Sequence, residues 1–143
     1  MNKSNGLCKL CNTQNETLCH LFVECCKISD IWTKVHNIIV NVTGENFAMS
    51  KTNIMLGYNN VIITNVNTRI MYNYFVYITK WLLWKHRNNV KFGTSALKTV
   101  DFIYEETIKC CKLEAQNIKN GHKWKKCNDG LQGMLSKTTE LAT

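Results

Sequence analysis

The chain has 143 residues, of which 45% are hydrophobic, and a formal net charge of +8. A chain of this length and composition can bury the core of one domain. It contains no proline, which suits long uninterrupted helices. The polar start lacks the apolar run of a signal peptide, and the most apolar stretch, residues 70–84, is shorter than the roughly 20 residues that span a bilayer. We therefore expect an intracellular protein, nuclear or cytoplasmic, with no membrane partner.

Five of the eight cysteines fall within residues 8–26. In a reducing compartment, cysteines are more often metal ligands or buried thiols than disulfides. The spacing Cys8-x2-Cys11-x8-His20-x4-Cys25 is typical of a zinc site, in which a tight turn supplies two thiolates and the next element supplies two further ligands. Because four protein ligands close the tetrahedron, water has no open position, and the sequence predicts a structural zinc ion.

Two features leave the local geometry of this site open. Cys26 can replace Cys25 as the fourth ligand, and Cys19 lies beside His20. His20 and Cys25 are five residues apart and would point about 140° away from each other in an ideal α-helix. The helix that Thr17 is expected to cap must therefore begin at His20 or end before Cys25. A secreted disulfide protein or a cluster of buried thiols is the alternative interpretation.

The next segment predicts one amphipathic helix followed by an irregular connection. Ser29 is expected to cap the helix, and Gly44 to end it. The apolar residues of this helix form a one-sided stripe: Ile31, Trp32, Val35, Ile38 and Ile39. Residues 45–66 predict loops and short helical turns, with a short strand as an option at 61–63.

The strongest helical pattern covers residues 67–89. Its apolar stripe comprises Ile70, Met71, Tyr74, Phe75, Ile78, Trp81 and Leu82. The opposite side is also apolar, since it holds Tyr72, Val76 and Leu83. A helix that is apolar nearly all round is buried or covered by a partner.

A last long helix is expected to start at a cap on Ser95 and to run to about residue 120. Together these elements predict a mainly α fold, with a zinc knuckle in residues 1–28. Three to four helices in residues 29–120 would pack on the knuckle as an irregular bundle. Residues 121–143 would form a loose basic and polar tail.

The positive charge is concentrated in residues 67–93. This segment contains no acidic residue and five basic ones: Arg69, Lys80, Lys85, Arg87 and Lys91. A localised basic segment indicates an anionic partner, most simply RNA or single-stranded DNA. Phosphates would be neutralised by residues 80–91, and exposed aromatic rings such as Trp84 or Trp124 would stack on bases. The alternative is a solvated helix face without a partner.

The cysteine-rich segment resembles the zinc-binding domain at the C-terminus of non-LTR retrotransposon reverse transcriptases. The elements that carry the resemblance are Cys8-Lys9-Leu10-Cys11, Glu16-Thr17, His20-Leu21-Phe22, Glu24-Cys25 and Ile31-Trp32, followed by Ile54-Met55-Leu56-Gly57-Tyr58 and by Lys80-Trp81-Leu82-Leu83-Trp84-Lys85-His86-Arg87-Asn88. They cover about residues 7–93, and the Cys/His part is the specific one. The family usually has proline after the last cysteine, where this chain has Cys26, so the fourth ligand stays open.

The resemblance implies a tail that holds nucleic acid while the parent protein copies RNA into DNA at a nicked target. The chain itself is not expected to be an enzyme, because its aspartates, Asp30, Asp101 and Asp129, do not form the close pair that a polymerase needs. Two alternatives remain: a structural module that docks on the upstream polymerase or dimerises, and a relic fragment with no present role.

Overall fold

The computed structural model describes residues 6–117 and confirms a mainly helical fold that follows a small Cys/His knuckle. In that range, a π-helical turn at His20–Glu24 precedes four α-helices: α1 (Asp30–Thr43), α2 (Lys51–Leu56), α3 (Val66–Lys91) and α4 (Val100–Asn117). The only extended pairing between residues 6 and 117 is an isolated antiparallel bridge between Leu7 and Asn15. The predicted tail, including Trp124, lies outside the described residues.

Helix α1 has the predicted apolar stripe. All five of its stripe residues are buried: Ile31, Trp32, Val35, Ile38 and Ile39. Gly44 ends the helix in the left-handed region with a φ of 71°, which glycine adopts at little cost. The predicted cap at Ser29 is wrong, because Ser29 already has helical backbone angles and its side chain makes no cap hydrogen bond.

The connection between α1 and α3 contains α2 rather than a strand. The Ser50 hydroxyl accepts a hydrogen bond from the Asn53 N–H and so caps α2. The optional strand at 61–63 is not formed, because the Asn59 side chain accepts hydrogen bonds from the N–H groups of Val61 and Ile62, both at 3.0 Å. This local turn replaces the partner strand that the segment would need.

Helix α3 is the centre of the bundle, and its buried face differs from the predicted stripe. Tyr72, Val76 and Leu83, expected as a second face for a partner, are buried within the chain, whereas Trp81 is 51% exposed. The Tyr72 hydroxyl donates to the Glu45 carbonyl at 2.9 Å and accepts from the Phe47 N–H. Contacts with α1, with α4 and with the π-helical turn cover this face.

Helix α4 starts at Val100, four residues later than a cap on Ser95 predicts. The Thr99 hydroxyl, not that of Ser95, accepts a hydrogen bond from the Phe102 N–H at 3.2 Å. The helix packs on both α3 and α1 through buried residues that include Ile103 and Cys111. Within residues 6–117, no helix combines the length and the hydropathy needed to cross a lipid bilayer.

Candidate metal centre and adjoining α3 surface

The structure brings Cys8, Cys11, His20 and Cys25 together. Their ligand atoms all lie within 4.8 Å of one another. The Sγ atoms of Cys8 and Cys25 are 3.8 Å apart, and Cys11 Sγ is 3.4 Å from His20 Nε2. A tetrahedron with metal–sulfur bonds of about 2.3 Å has edges of about 3.8 Å, so these separations suit a single central ion.

A closed loop, residues 6–16, positions the first two cysteines. A 2.8 Å backbone hydrogen bond from Cys8 to Gln14 holds the two sides of the loop together. Asn12 has a φ of 57°, which reverses the chain directly after Cys11. Asparagine is among the few residues that tolerate this left-handed conformation. The C-x2-C pair therefore lies on a tight turn, as its spacing predicts.

The π-helical turn positions the other two ligands and resolves the conflict in their spacing. The Thr17 hydroxyl accepts from the His20 N–H at 3.0 Å, as expected for a cap. The Cys25 N–H then donates to the His20 carbonyl at 2.8 Å, five residues back. This i→i+5 bond places Cys25 one turn above His20, whereas α-helical spacing would send the two side chains apart. The helix ends there, since Cys25 has a ψ of 127°.

Cys25 and Cys26 have opposite environments. Cys25 is 0% exposed and belongs to the cluster, whereas Cys26 is exposed to solvent and outside it. The Trp32 indole N–H donates to the Phe22 carbonyl at 2.6 Å, which ties α1 to the π-helical turn. The geometry thus assigns the fourth position of the cluster to Cys25.

Electrostatics within the cluster favour a bound cation. Burial, together with the neighbouring Cys8 and Cys11 thiols, raises the pKa of the Cys25 thiol to about 12. Burial also acts to raise the pKa of Cys11, but hydrogen bonds from Thr13, Gln14 and His20 outweigh it and lower that pKa to about 5. One thiolate therefore forms readily and the last does not. A divalent cation would supply the charge that allows all three thiols to ionise.

The four residues can therefore hold one metal ion with a complete set of protein ligands. Comparison of the chain with protein-family models, with curated proteins and with solved structures gives no match in any of the three. The chemistry of the site is therefore inferred from its geometry alone. The resemblance to retrotransposon tails stays a prediction.

An ion pair that the sequence did not reveal joins the metal loop to α3. The Arg87 guanidinium donates to both carboxylate oxygens of Glu16, with Nε 3.2 Å from each. The two side chains are only 13% and 17% exposed. Burial acts to raise the pKa of Glu16, but the hydrogen bonds and charge of Arg87 outweigh it and lower that pKa. The pair fixes the orientation of α3 relative to the knuckle.

Replacement of Glu16 by glutamine is expected to destabilise the metal-bound protein by about 1–3 kcal/mol, because it leaves a largely buried guanidinium without its counter-charge. Urea unfolding of the metal-loaded protein measures the change. Glu24→Gln is the matched control, since Glu24 pairs with Lys51 in solvent, with side chains 45% and 57% exposed. Equal midpoints for the two variants would contradict a structural role for the Glu16–Arg87 pair.

The five residues predicted to bind nucleic acid differ in their availability. Lys85 and Lys91 are exposed, and Trp84 is 38% exposed with the Arg87 guanidinium 5.4 Å from its ring centroid. Lys80 is half-buried and donates to the Met55 carbonyl at 3.2 Å. Arg87 is held by Glu16, so it is less free for phosphate than the sequence suggested. The structure therefore leaves Lys85 and Lys91 as the accessible cations of this set.

Two exposed aromatic residues on α3 were missed as candidates. Tyr77 is 64% exposed and Trp81 is 51% exposed. With Trp84 they follow the i, i+4, i+7 spacing of one helix face. We call Tyr77, Trp81, Trp84, Lys85 and Lys91 the aromatic–cation face. Because the opposite, buried face includes the polar residues Thr79 and His86, hydrophobicity alone did not identify which side of α3 is exposed.

Proposed function

We propose that the chain is a zinc-binding tail of a non-LTR retrotransposon reverse transcriptase that holds RNA or single-stranded DNA and has no catalytic role of its own. The observation that carries this proposal is the exposed aromatic–cation face of α3, which the Glu16–Arg87 pair joins to the metal cluster. A thiolate-rich site suits a reducing compartment, so the proposal puts the protein in the cytoplasm or the nucleus.

Zinc is the proposed metal because three sulfur ligands and one imidazole in a closed cluster are typical of structural zinc sites. The ion would fix the loop 6–16 and the π-helical turn in one arrangement. It would thereby also hold Glu16, whose backbone N–H donates to the Gly6 carbonyl at 2.8 Å within the same loop. The metal is thus proposed to support the α3 surface rather than to contact nucleic acid.

The aromatic–cation face has the dimensions of a short single strand. Tyr77 and Trp84 are seven residues apart, which is about 10 Å along a helix. At about 3.4 Å per nucleotide, this length accommodates about three stacked bases. Aromatic rings stack on any base, and lysines beside them neutralise phosphates, so binding would show little sequence preference. These features support a single strand as the partner.

The retrotransposon assignment is supported by the structural roles of the residues that carry the resemblance. Thr17 caps the turn that holds His20, and the Trp32 indole N–H donates to the Phe22 carbonyl within that turn. Glu16 and Arg87, which belong to separate elements of the resemblance, form one ion pair. Residues from separate elements of the resemblance thus contact one another in the folded chain. These contacts support the proposal that the elements belong to one domain of this family.

The salt dependence of binding to a 12-nucleotide single strand tests the proposal. Each single-strand phosphate contact contributes about 0.7 to the slope of log K against log salt. Lys85→Ala combined with Lys91→Ala should therefore lower the magnitude of the slope by about 1.4 and leave the metal content unchanged. Fluorescence anisotropy at several salt concentrations measures both the affinity and the slope.

The matched control is Lys109→Ala combined with Lys112→Ala, which removes the same charge from exposed positions on α4. This control should change the slope much less than the α3 variant. Binding that ignores salt, or equal effects of the two double variants, would contradict the proposal. That result would favour a module that docks on the polymerase through the same aromatic residues.

A further inference from the structure

A cavity of about 240 Å³ lies between the second half of α3 and the first turns of α4. We call it the α3–α4 pocket. Its apolar lining includes Leu82, Phe102 and Ile103, and its polar lining includes Lys85, Lys98 and Glu106. Pockets for drug-sized ligands usually measure about 300–1,000 Å³, so this one suits a single ring system.

The pocket combines lysine ammonium groups with an aromatic ring, which suits an anionic ligand that contains a planar ring. The Lys98 ammonium lies 5.1 Å from the centroid of the Phe102 ring, and that phenylalanine is 44% exposed. Lys85 supplies a second exposed cation from α3. An accessible aromatic ring and two lysines that line the same pocket are the combination that binds a base and its neighbouring phosphates.

The wall of the pocket is fixed by a buried histidine. His86 is 7% exposed, and its Nε2 lies 3.4 Å from the Lys98 backbone N–H, which donates to it. Burial and the charge of Lys98 lower the pKa of His86, so the ring is neutral at neutral pH and can accept this bond. The contact holds the connection between α3 and α4 against α3, which keeps Lys98 at the rim.

The pocket adjoins the aromatic–cation face. Lys85 belongs to both, and Trp81 lies one helical turn before Lys85 on α3. A strand stacked on Trp81 and Trp84 would therefore lie close to Lys85 at the pocket. Glu106 adds an acceptor to the lining, although its carboxylate also lies 3.4 Å from Lys109 in a solvent-exposed pair.

We propose that the α3–α4 pocket receives one base of the bound single strand, stacked on Phe102, and prefers a base with an exocyclic amino group. Lys85 and Lys98 would contact the adjoining phosphates. The Glu106 carboxylate would accept a hydrogen bond from the amino group of cytosine or adenine. At the corresponding position uracil and thymine present a carbonyl oxygen, which cannot donate to a carboxylate. This inference rests on the proposed single-strand function and adds selectivity to it.

Titration of the zinc-loaded full chain with three ligands tests the pocket separately from the aromatic–cation face. The ligands are cytidine 5′-monophosphate (CMP), uridine 5′-monophosphate (UMP) and ribose 5-phosphate. Isothermal calorimetry or NMR shifts should show that CMP binds about tenfold more tightly than UMP, and that ribose 5-phosphate binds more weakly than either. Glu106→Gln should remove the preference for CMP, because an amide can donate to the uracil carbonyl. Glu105→Gln, an exposed change on the same helix that does not line the pocket, should keep it.

Phe102→Ala, a change at a partly exposed position, should abolish mononucleotide binding and reduce the affinity for a 12-nucleotide strand by only a few fold. Equal binding of CMP, UMP and ribose 5-phosphate would overturn the inference in favour of a phosphate site alone. So would a CMP preference that survives Glu106→Gln. If the 12-nucleotide strand fails to bind while CMP still binds better than UMP, the proposed function of the α3 face is wrong and the pocket assignment stands.

Discussion

Cys8→Ser is expected to reduce the zinc content from one ion per chain to nearly none. Cys8 is fully buried, its Sγ lies 3.8 Å from that of Cys25, and the Leu10 N–H donates to it at 3.4 Å. Serine cannot replace the thiolate, so the ion would lose one of four ligands. Structural zinc contributes about 10–16 kcal/mol of binding free energy, which makes this the largest effect expected here.

Loss of the ion should also unfold the knuckle. Loop 6–16 and the π-helical turn both carry candidate ligands, so the ion would join the two elements. Metal analysis of protein purified under reducing conditions measures the zinc content. Proteolysis or hydrogen exchange of the first 26 residues measures the unfolding. Removal of the metal with a chelator should reproduce both results in the unaltered chain.

Cys26→Ser and Cys19→Ser are the controls for this prediction. Both residues lie beside ligands, yet neither belongs to the cluster, and Cys26 is exposed. Both variants should keep one zinc ion per chain, whereas Cys25→Ser should lose it. Zinc retained in Cys25→Ser and lost in Cys26→Ser would show that the fourth ligand has been assigned incorrectly.

The Cys/His cluster could be predicted from the sequence because its spacing reflects local chain geometry. A C-x2-C pair almost requires a tight turn, and the next ligands come from the following element. The π-helical turn was not accessible, although the five-residue spacing of His20 and Cys25 pointed to a conflict with α-helical geometry. An i→i+5 bond is rare, and here the convergence of both side chains in a buried cluster favours it.

The exposed face of α3 was predicted incorrectly because the packing of the neighbouring helices decides which side of α3 is buried. Trp81 was grouped with the apolar stripe, but the neighbouring helices cover the side that contains Phe75, Thr79 and Leu83. The Thr79 hydroxyl donates to the Phe75 carbonyl at 2.7 Å, so burial leaves it with a hydrogen-bond partner. Which side of a nearly all-apolar helix is buried depends on its neighbours, and a periodic pattern does not contain that information.

The link between the knuckle and α3 depends on residues that are distant in sequence. Glu16 and Arg87 are 71 positions apart, and nothing in either local segment specifies their contact. The sequence therefore predicted Arg87 as a free cation for phosphate. Because Arg87 is held in the ion pair, we propose that the whole basic segment does not bind the single strand. The aromatic rings and the two lysines of the aromatic–cation face would make the contacts instead.

Trp81→Ala combined with Trp84→Ala is expected to weaken binding to a 12-nucleotide single strand by at least about 2 kcal/mol, roughly a thirtyfold rise in Kd. Loss of an aromatic platform costs about 1–3 kcal/mol per stacked base. Both indoles are exposed, so their truncation should leave the core and the metal content intact. Anisotropy titrations at a fixed salt concentration measure the change.

The salt dependence distinguishes stacking from a general loss of structure. Neither tryptophan carries a charge, so the double alanine variant should bind more weakly at every salt concentration but keep the slope of the unaltered protein. Trp81→Phe combined with Trp84→Phe should recover part of the affinity, because phenylalanine keeps a π-face. Val61→Ala, at an 82% exposed apolar position outside α3, should have no effect. A double alanine variant with unchanged affinity would exclude stacking on α3, because phosphate contacts alone would then account for binding.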